Sequence, residues 1–347
     1  MLRIPTPILI LLLATTFVQV SRSQSLRLPR DIIGFCRDAG QTTRLISFLD
    51  SLDREEIPLP GNTVAAISPH DDYLYAGRMY HPLFRHLRAK EVVIFGVTHR
   101  TVRNEIGDPR NVLILDTHDS WYSPFGPIAP SPLREYLHDK LDTSVFIVSN
   151  KAQELEHSIE ALLPFLQYYN RDVRITPIMV TAMPFERMDE ISSKLAPLIQ
   201  EYLRQHSLVP GKDIVFLVSS DANHYGRDFN NLPFGEDRTA HETGTRNDRR
   251  IARDYLEGGM SAERIKALTK ELESVVWCGK YSVPFGMLTI EKILATPERK
   301  KLSGAMLRYS DTFTEMVLPM RGTDMGTTAP VSLKHWVGFF SMAFSLK

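Results

Sequence analysis

Short apolar runs recur along the chain, and each is followed by polar residues. Three of them, at 64–67, 92–96 and 214–218, are too short for stable helices and predict buried strands. Between the first two, 78–90 has apolar residues spaced as on one face of a helix. Strand, helix and strand in this order predict a βαβ unit with a right-handed crossover. The pattern therefore indicates an α/β protein.

The remaining pattern extends this reading over the rest of the chain. Apolar runs predict further strands at 112–115, 145–148, 173–180, 305–310 and 336–344. Helical spacing predicts helices at 42–53, 154–166, 187–206 (kinked at Pro197) and 284–295, with helical segments within 251–272. The stretch 230–249 is polar and carries no predicted element. Since no repeat or long linker interrupts the pattern, we expect one domain with a mostly parallel or mixed central sheet flanked by helices.

A histidine follows the end of each of the first three predicted strands. His70 follows the first strand, His99 the second and His224 the third, where Asp221 also lies. Open α/β sheets bind their ligands at the carboxyl ends of the strands. Three histidines in equivalent places therefore predict a functional site at this edge of the sheet.

The residue types at this edge are those of a metal site. Two imidazoles and one anionic ligand suit a divalent transition metal with open positions. A carboxylate such as Asp221 as third ligand gives a non-haem iron pattern, whereas the thiolate of Cys278 admits iron(II), copper or zinc. His157 is a further candidate. A ligand histidine needs its second nitrogen held by a partner, for which Asp71, Asp72 or Asp221 are candidates.

Each of these residues also has an interpretation without a metal. His70 and His99 could be strand-end residues that bond to the backbone. Asp221 could cap a helix or form a turn. Cys278 could pair with the other cysteine, Cys36, in a disulfide. The sequence has no nucleophile elbow, P-loop or dinucleotide-binding glycine pattern, so these classes of site are not predicted.

Charge and the N-terminal segment bear on partners and location. The 347 residues carry 41 basic and 41 acidic side chains without a basic stripe, which argues against nucleic acid as a partner. Arg3 precedes an apolar core at 8–20, and Ser21-Arg22-Ser23 follows. This pattern predicts a signal peptide over 1–23 and an exported mature domain over 24–347, periplasmic or secreted, without membrane attachment after cleavage. An uncleaved N-terminal anchor is the alternative.

Several short motifs resemble those of one family. The opening motifs are Ser68-Pro69-His70, Tyr73-x-Tyr75-x-Gly77 and Gly96-Val97-Thr98-His99. The later ones are Glu156-His157-Ser158-Ile159-Glu160, Ser219-Ser220-Asp221 through His224-Tyr225-Gly226, and Cys278-Gly279 with Pro284-x-Gly286. In this order they resemble the MEMO family, known in bacteria as AmmeMemoRadiSam system protein B, over nearly the whole mature chain. That family resembles the class III extradiol dioxygenases in fold.

The resemblance implies a set of roles for single residues. His70, His99 and Cys278 match the positions of the metal ligands, with iron(II) the expected metal and copper or zinc the alternatives. Asp221 and His224 match pocket residues, and His224 is the expected acid/base. The implied function is oxidation of a small phenolic or diol substrate. The alternative is a non-catalytic protein that binds a metal or a small ligand in the same pocket.

The chain departs from the family pattern at two places. Asp71-Asp72 stands where the family has Ala-Gly, and Arg100 stands where it has the second histidine of a Gly-Pro-Ser-His-His motif. Both changes add charge near the predicted metal, so we expect them to alter the substrate rather than metal binding. The aromatic stretch 121–126 is expected to cover the mouth of the site. Oligomeric state does not follow from the sequence.

Overall fold

The structure is a computed structural model that describes residues 25–54, 57–295, 301–320 and 322–347. The predicted signal peptide over 1–23 lies outside these residues and stays a prediction. Within the described residues, no helix has the length and apolar character needed to cross a bilayer.

Helices and strands alternate along most of the chain. The strands are β1 Leu26–Arg27, β2 Thr63–Ser68, β3 Glu91–Gly96, β4 Leu113–Leu115, β5 Ser120–Trp121, β6 Phe146–Val148, β7 Arg174–Val180, β8 Ile214–Ser219, β9 His224–Gly226, β10 Gly258–Gly259, β11 Leu302–Asp311 and β12 His335–Leu346. The helices are α1 Ala39–Leu52, α2 Tyr73–Phe84, α3 Arg100–Ile106, α4 Pro132–Lys140, α5 Asn150–Leu155, α6 Leu163–Tyr169, α7 Phe185–Gln205, α8 Arg238–Ile251, α9 Ala262–Glu271, α10 Ser282–Leu294 and α11 Thr312–Glu315.

The main sheet is mixed, with a parallel centre. Its order is β10-β11-β12-β2-β8-β3-β7-β4-β6, and β9 pairs with the start of β12. Strands β2, β8, β3 and β7 run parallel to one another. On one side of this centre, β12 pairs antiparallel with β2, and β11 pairs antiparallel with β12; on the other side, β4 pairs antiparallel with β7. The carboxyl ends of the central parallel strands therefore meet at one edge. The predicted class, a single α/β domain with a mixed central sheet flanked by helices, is confirmed.

Helices cover both faces of the central strands, which explains why these strands are apolar throughout. In β3, Val93 and Phe95 pack into the core on the side of α7 and α10, while Val92 and Ile94 pack on the side of α1 and α2. A strand that is buried on both faces carries a continuous apolar run instead of an alternating one. This burial is what made the strands recognisable in the sequence.

Three predicted elements differ from the structure. Helix α2 begins at Tyr73, immediately after the polar residues that follow β2, and not at 78. The helix predicted over 154–166 is interrupted, because the chain is extended at Glu156 and restarts as a short 3-10 turn before α6. The polar stretch 230–249 contains most of α8, whose buried face includes Thr245 and Asp248 and therefore lacks an apolar period.

Two segments with little regular structure contribute residues to the cavity at the carboxyl edge of the sheet. We call residues 25–38 the strap and residues 316–334, apart from 321, the cap. The Gly34 N–H donates to the Met325 carbonyl at 2.7 Å and so joins the strap to the cap. No residue of the aromatic stretch 121–126 is among those that line the cavity described below, and the Trp121 ring N–H donates to Asp116 at 2.8 Å. The expectation that it covers the site is therefore wrong.

Candidate metal centre

His70 lies just past the end of β2 and is almost fully buried. Its Nδ1 is 2.7 Å from the Ser219 hydroxyl, and that hydroxyl donates its own proton to the Ser158 carbonyl at 2.6 Å. Ser219 Oγ must therefore accept a hydrogen bond from Nδ1–H, which leaves the lone pair of the His70 ring on Nε2. Burial, followed by the nearby His99, lowers the pKa of His70 well below its usual value, so its neutral form is favoured.

His99 lies at the end of β3 and is held by a buried carboxylate. Its Nδ1 is 2.7 Å from Glu156 Oε1, and its backbone N–H donates to Oε2 at 2.9 Å. Burial opposes ionisation of Glu156, but the charge and hydrogen bond of His99 outweigh it and hold the pKa of this carboxyl well below its usual value. The charge of Glu156 likewise raises the pKa of His99 in spite of burial. Nδ1–H donates to the carboxylate, so Nε2 is again the free nitrogen.

The partners of these two rings correct one expectation. Asp71, Asp72 and Asp221 were the candidates for holding the second nitrogen of a ligand histidine. Instead, Ser219 holds His70 and Glu156 holds His99. Glu156 could have been found from the Glu-His-Ser-Ile-Glu motif, but the predicted continuous helix placed it on a helix face.

His157 brings a third imidazole to the same place. Its ring centroid lies 4.7 Å from that of His99 and 5.5 Å from that of His70. Its Nδ1 is 2.7 Å from Asp31 Oδ2 and 2.8 Å from Arg30 Nη1, both on the strap. A carboxylate only accepts and a guanidinium only donates, so the two contacts require opposite tautomers. The Nε2 of His157 is available to a metal when Nδ1 donates to Asp31.

Among the residues that the structure describes, two groups of side chains could hold a metal ion, and they share His70. One group joins His70 to His99 and His157, and the other joins it to Asp221 and Cys278. In each group the ligand atoms lie within 4.8 Å of one another. The three ligands predicted from the sequence, His70, His99 and Cys278, are therefore distributed over both groups around one histidine.

Cys278 approaches His70 closely because of a glycine. The Cys278 Sγ is 3.3 Å from His70 Nε2 and accepts a hydrogen bond from the Asp221 N–H at 3.0 Å. A Cβ on Gly279 would lie 2.0 Å from the Ser220 hydroxyl, so only glycine lets this turn pack against the end of β8. Burial, followed by the charge of Asp221, raises the pKa of the Cys278 thiol well above its usual value, so its thiolate would need a cation beside it.

The other cysteine does not pair with Cys278. Both cysteines are free thiols, and the Cys36 Sγ lies in the strap, 3.4 Å from the Met325 sulfur of the cap. The disulfide considered as the alternative role of Cys278 is therefore absent from this structure, which leaves Cys278 free for a metal.

A cavity of about 280 Å³ opens onto these groups. It is lined by Asp31, Phe35, His70, Asp71, Asp72, His99, His157, Asp221, His224, Phe229, Thr328, Ala329, His335 and Val337. Arg100 lines a neighbouring cleft with Arg103 and Arg110 instead, so its charge does not face the cavity.

His224 and Asp221 both lie on the cavity wall. The His224 Nδ1 is 3.2 Å from the Ala222 carbonyl, to which it donates, so Nε2 carries the lone pair. Burial and then His99 lower the pKa of His224 to about 4, which keeps the ring neutral at neutral pH. The Asp221 Oδ2 is 3.3 Å from His70 Nε2, and Oδ1 accepts the His70 N–H at 2.9 Å. Burial raises the pKa of Asp221 to about 7.

The two aspartates that follow His70 have different surroundings. The Asp72 Oδ2 accepts hydrogen bonds from the Thr328 N–H at 2.5 Å and from its hydroxyl at 2.9 Å, and so fixes the cap. The Asp71 Oδ1 accepts the Asp72 N–H at 2.6 Å, while its other oxygen has no hydrogen bond among the described residues. Burial, then Asp221 and Asp72, raise the pKa of Asp71 well above its usual value.

Comparison with known proteins gives a consistent family relationship. The sequence model of the family described as "Memo-like protein" matches residues 40–315. A MEMO1 family protein of Methanosarcina barkeri is 34% identical over 166 residues, which cover 47% of this chain and 56% of the relative. A MEMO1 family protein of Pyrobaculum arsenaticum is 31% identical over 169 residues, covering 47% and 53%. The chain thus spans about half the length of these curated relatives.

One solved structure has a partly similar course of the chain. It is that of the uncharacterized protein JW3007 from Escherichia coli K12, with a TM-score of 0.44 and 13% identity, covering 80% of this chain and 98% of that one. A likeness of this size supports no conclusion about function.

Proposed function

The chain belongs to the family of Memo-like proteins, and on this premise we propose that it is a metal-dependent oxidoreductase acting on a small phenolic or diol substrate. The proposed metal is iron(II), with copper or zinc as alternatives, and the proposed oxidant is dioxygen. The observation that carries the proposal is that His70, His99 and His224 each have Nδ1 engaged, leaving Nε2 with its lone pair.

The donor set suits such a metal. The imidazoles, the thiol and the carboxylate of the two groups that share His70 are the ligand types that iron(II), copper and zinc share. His70 and His99 would hold the ion, and Cys278 or Asp221 would supply the negative charge that balances it. The hydroxyl of Ser219 and the carboxylate of Glu156 would keep the two rings in the ligating tautomer. A bound ferrous ion would supply the one-electron chemistry that lets dioxygen react with a diol.

His224 is the group that we propose as proton acceptor, on the basis of its position and its open lone pair. It lines the cavity but belongs to neither group of ligand atoms, so a metal would leave it free. Its ring is neutral at neutral pH, because burial lowers its pKa to about 4. We assign it the removal of a proton from the hydroxyl of a bound diol, a step that usually contributes about a hundred- to ten-thousandfold in rate. We assign Asp221 an indirect role beside His224: its carboxylate contacts the His70 ring at 3.3 Å.

The experiment measures oxygen consumption and product formation by ferrous protein with a panel of phenols and diols. We expect His224→Ala to keep its metal and lose activity by about a hundredfold or more. His206→Ala, an exposed histidine at the end of α7, is the matched control and should behave as wild type. If the wild-type protein turns over no compound, or His224→Ala is fully active, the catalytic proposal is wrong. The pocket is then one that binds a metal or ligand without turnover.

Export is a separate proposal, since the signal peptide predicted over 1–23 lies outside the described residues. Cell fractionation with detection of the mature N-terminus tests it. A chain that begins at residue 24 in the periplasm or medium supports export. A chain that keeps residues 1–23 and sediments with membranes supports the uncleaved anchor.

A further inference from the structure

The proton that His224 would take from a substrate has to leave the cavity again. The His224 ring donates its Nδ1–H to the Ala222 carbonyl, so the new proton would lie on Nε2. Burial favours the neutral ring and lowers the pKa of His224 to about 4, so the ring would hold this proton only briefly. A backbone carbonyl takes up no proton at neutral pH. A further acceptor, nearer to the solvent, is therefore needed.

His335 is a histidine of the cavity that has no role so far. Among the described residues, five histidines line the cavity, and three of them, His70, His99 and His157, form one of the metal groups. His335 belongs to neither metal group and lies beyond the residues 40–315 that match the family model. Its side chain is 20% exposed, so the ring contacts both the cavity and the solvent.

The pairing of β9 with β12 places His335 on the same face as His224. In this antiparallel pair, His335 lies opposite Gly226 and Val337 lies opposite His224. Opposite residues and alternate residues of paired strands point to one face, so His224 and His335 are diagonal neighbours there. Diagonal neighbours are about 7–8 Å apart, a distance that one water molecule can bridge between two ring nitrogens.

The opposite face of the same pair confirms this orientation. Tyr225 and Trp336, which alternate with the histidines, stack on each other with ring centroids 4.9 Å apart and are fully buried. They do not line the cavity, whereas His224, His335 and Val337 do. The side chains of the two histidines therefore share the cavity and not the core.

Two further residues fix the position of the His335 ring. Gly226 has a φ of +144°, and a Cβ there would lie 2.6 Å from the Lys334 carbonyl, so glycine lets β9 approach the start of β12. The Phe229 ring lies 5.0 Å from the His224 ring and 4.8 Å from the His335 ring. It thus packs against both imidazoles and closes one side of the path between them.

Asp228 sets the tautomer of His335. The His335 Nδ1 is 3.0 Å from Asp228 Oδ2, and a carboxylate only accepts hydrogen bonds. Nδ1–H therefore donates to Asp228, and Nε2 keeps its lone pair. Asp228 itself is 79% exposed and lies on the solvent side of the ring. An imidazole held in this way is suited to accept a proton on one side and to release one near neutral pH.

We propose that His335 receives the substrate proton from His224 and passes it to the solvent, and that Asp228 holds the His335 ring in the accepting tautomer. This inference rests on the proposed function and adds the exit route of its proton. The N–H bond at His224 Nε2 breaks and an N–H bond forms at His335 Nε2, through one water molecule. The His335 ring then releases one proton to bulk water. Each step moves one proton and no electron.

The experiment follows the ionisation of a nitrocatechol on zinc-loaded protein, in which no oxidation occurs. The visible absorption of this compound changes when its hydroxyls ionise, so stopped-flow mixing in dilute sulfonate buffer gives the rate. We expect His335→Gln to bind zinc as the wild type does and to ionise the compound about a hundredfold or more slowly. Added imidazole, which enters the cavity as a mobile base, should restore most of the rate. His206→Gln, which changes an exposed histidine at the end of α7, is the matched control and should be as fast as the wild type.

Asp228→Asn tests the second part of the proposal. Asparagine keeps the shape of the side chain and removes the charge that holds Nδ1–H. We expect this variant to ionise the nitrocatechol more slowly than the wild type and faster than His335→Gln. A wild-type rate would show that Asp228 does not position the ring.

The outcomes separate this inference from the proposed function. If the zinc protein does not bind the nitrocatechol, or binds it without ionising it, the proposed function is wrong and the inference is wrong with it. If folded, zinc-loaded His335→Gln ionises the compound as fast as the wild type, the proposed function stands and the proton leaves by another group. A slow rate that imidazole does not restore would show that His335 only shapes the cavity, which also overturns the relay.

Discussion

Glu156 offers the sharpest test of how the metal site is organised, because it touches no metal itself. This carboxylate is 1% exposed and accepts four hydrogen bonds. They come from His99 Nδ1 at 2.7 Å and from the backbone N–H groups of His99, His157 and Ser158, each at 2.9 Å. It therefore fixes both the position of His99 and the turn that carries His157. We consider its replacement by glutamine, which keeps the shape and removes the charge.

The geometry sets the size of the effect. Oε1 accepts three of the four bonds, so the glutamine oxygen would take that position and its amide group would face the backbone N–H of His99. The N–H of the glutamine amide and the backbone N–H of His99 would then face each other as two donors in a buried site. An unsatisfied buried donor costs about 1–3 kcal/mol of stability. Loss of the group that orients a ligand histidine lowers metal affinity by about ten- to a hundredfold, or roughly 1.4–2.8 kcal/mol.

The assay is competition for zinc against a chelator of known affinity, combined with urea unfolding of the metal-free protein. Glu154→Gln is the matched control, since Glu154 lies in the last turn of α5, two residues before Glu156, is 53% exposed, and has His118 at 3.5 Å as its ion-pair partner. We expect Glu156→Gln to lose both affinity and stability and Glu154→Gln to lose neither. A folded Glu156→Gln protein with wild-type affinity would refute the assignment of Glu156 as the group that positions His99.

Three further predictions follow from single contacts. Alkylation of metal-free, denatured and non-reduced protein should label both Cys36 and Cys278, since both are free thiols; an intact mass showing a disulfide would remove Cys278 from the site. Gly279→Ala should fold but lose metal affinity, because its Cβ would lie 2.0 Å from the Ser220 hydroxyl and displace Cys278, and calorimetry with zinc measures the loss. Burial raises the pKa of Asp248 to about 7 from 3.8, so its contribution to stability is present below pH 4 and is lost as pH rises to 7. Urea unfolding at pH 5 and at pH 8 measures this loss as the difference between the two free energies of unfolding. In Asp248→Asn this difference should be smaller than in the wild type by about 1 kcal/mol or more, and an unchanged difference would contradict the prediction.

The sequence predicted the central sheet well because burial on both faces leaves a continuous apolar signal. Val92 and Phe95 pack on opposite sides of β3 and both had to be apolar. The same strands ended where the histidines begin, so His70 and His99 were placed at the correct edge. Helix α8 was missed for the converse reason, since its buried face includes Thr245 and Asp248, whose environment is polar.

Which residue holds which histidine of the site depends on tertiary contacts, so the sequence pattern did not assign these pairs. Glu156 and His99 are 57 residues apart in the sequence. They make contact because the chain is extended, not helical, at Glu156. The strap and the cap carry no apolar period, although Asp31 and Thr328 line the cavity. The assignment of His70, His99 and Cys278 as metal ligands remains a prediction, because the fold shows where these side chains lie and metal binding has to be measured.

The central claim is that a metal ion binds at His70, the residue that both ligand groups share. Its most direct test is elemental analysis of the purified protein after loading with iron(II) or zinc and removal of the excess. We predict stoichiometric metal in the wild type and in His335→Ala, a histidine of the same cavity outside both groups, and no stoichiometric metal in His70→Ala, with circular dichroism confirming that all three are folded. Wild-type metal content in folded His70→Ala would contradict the account.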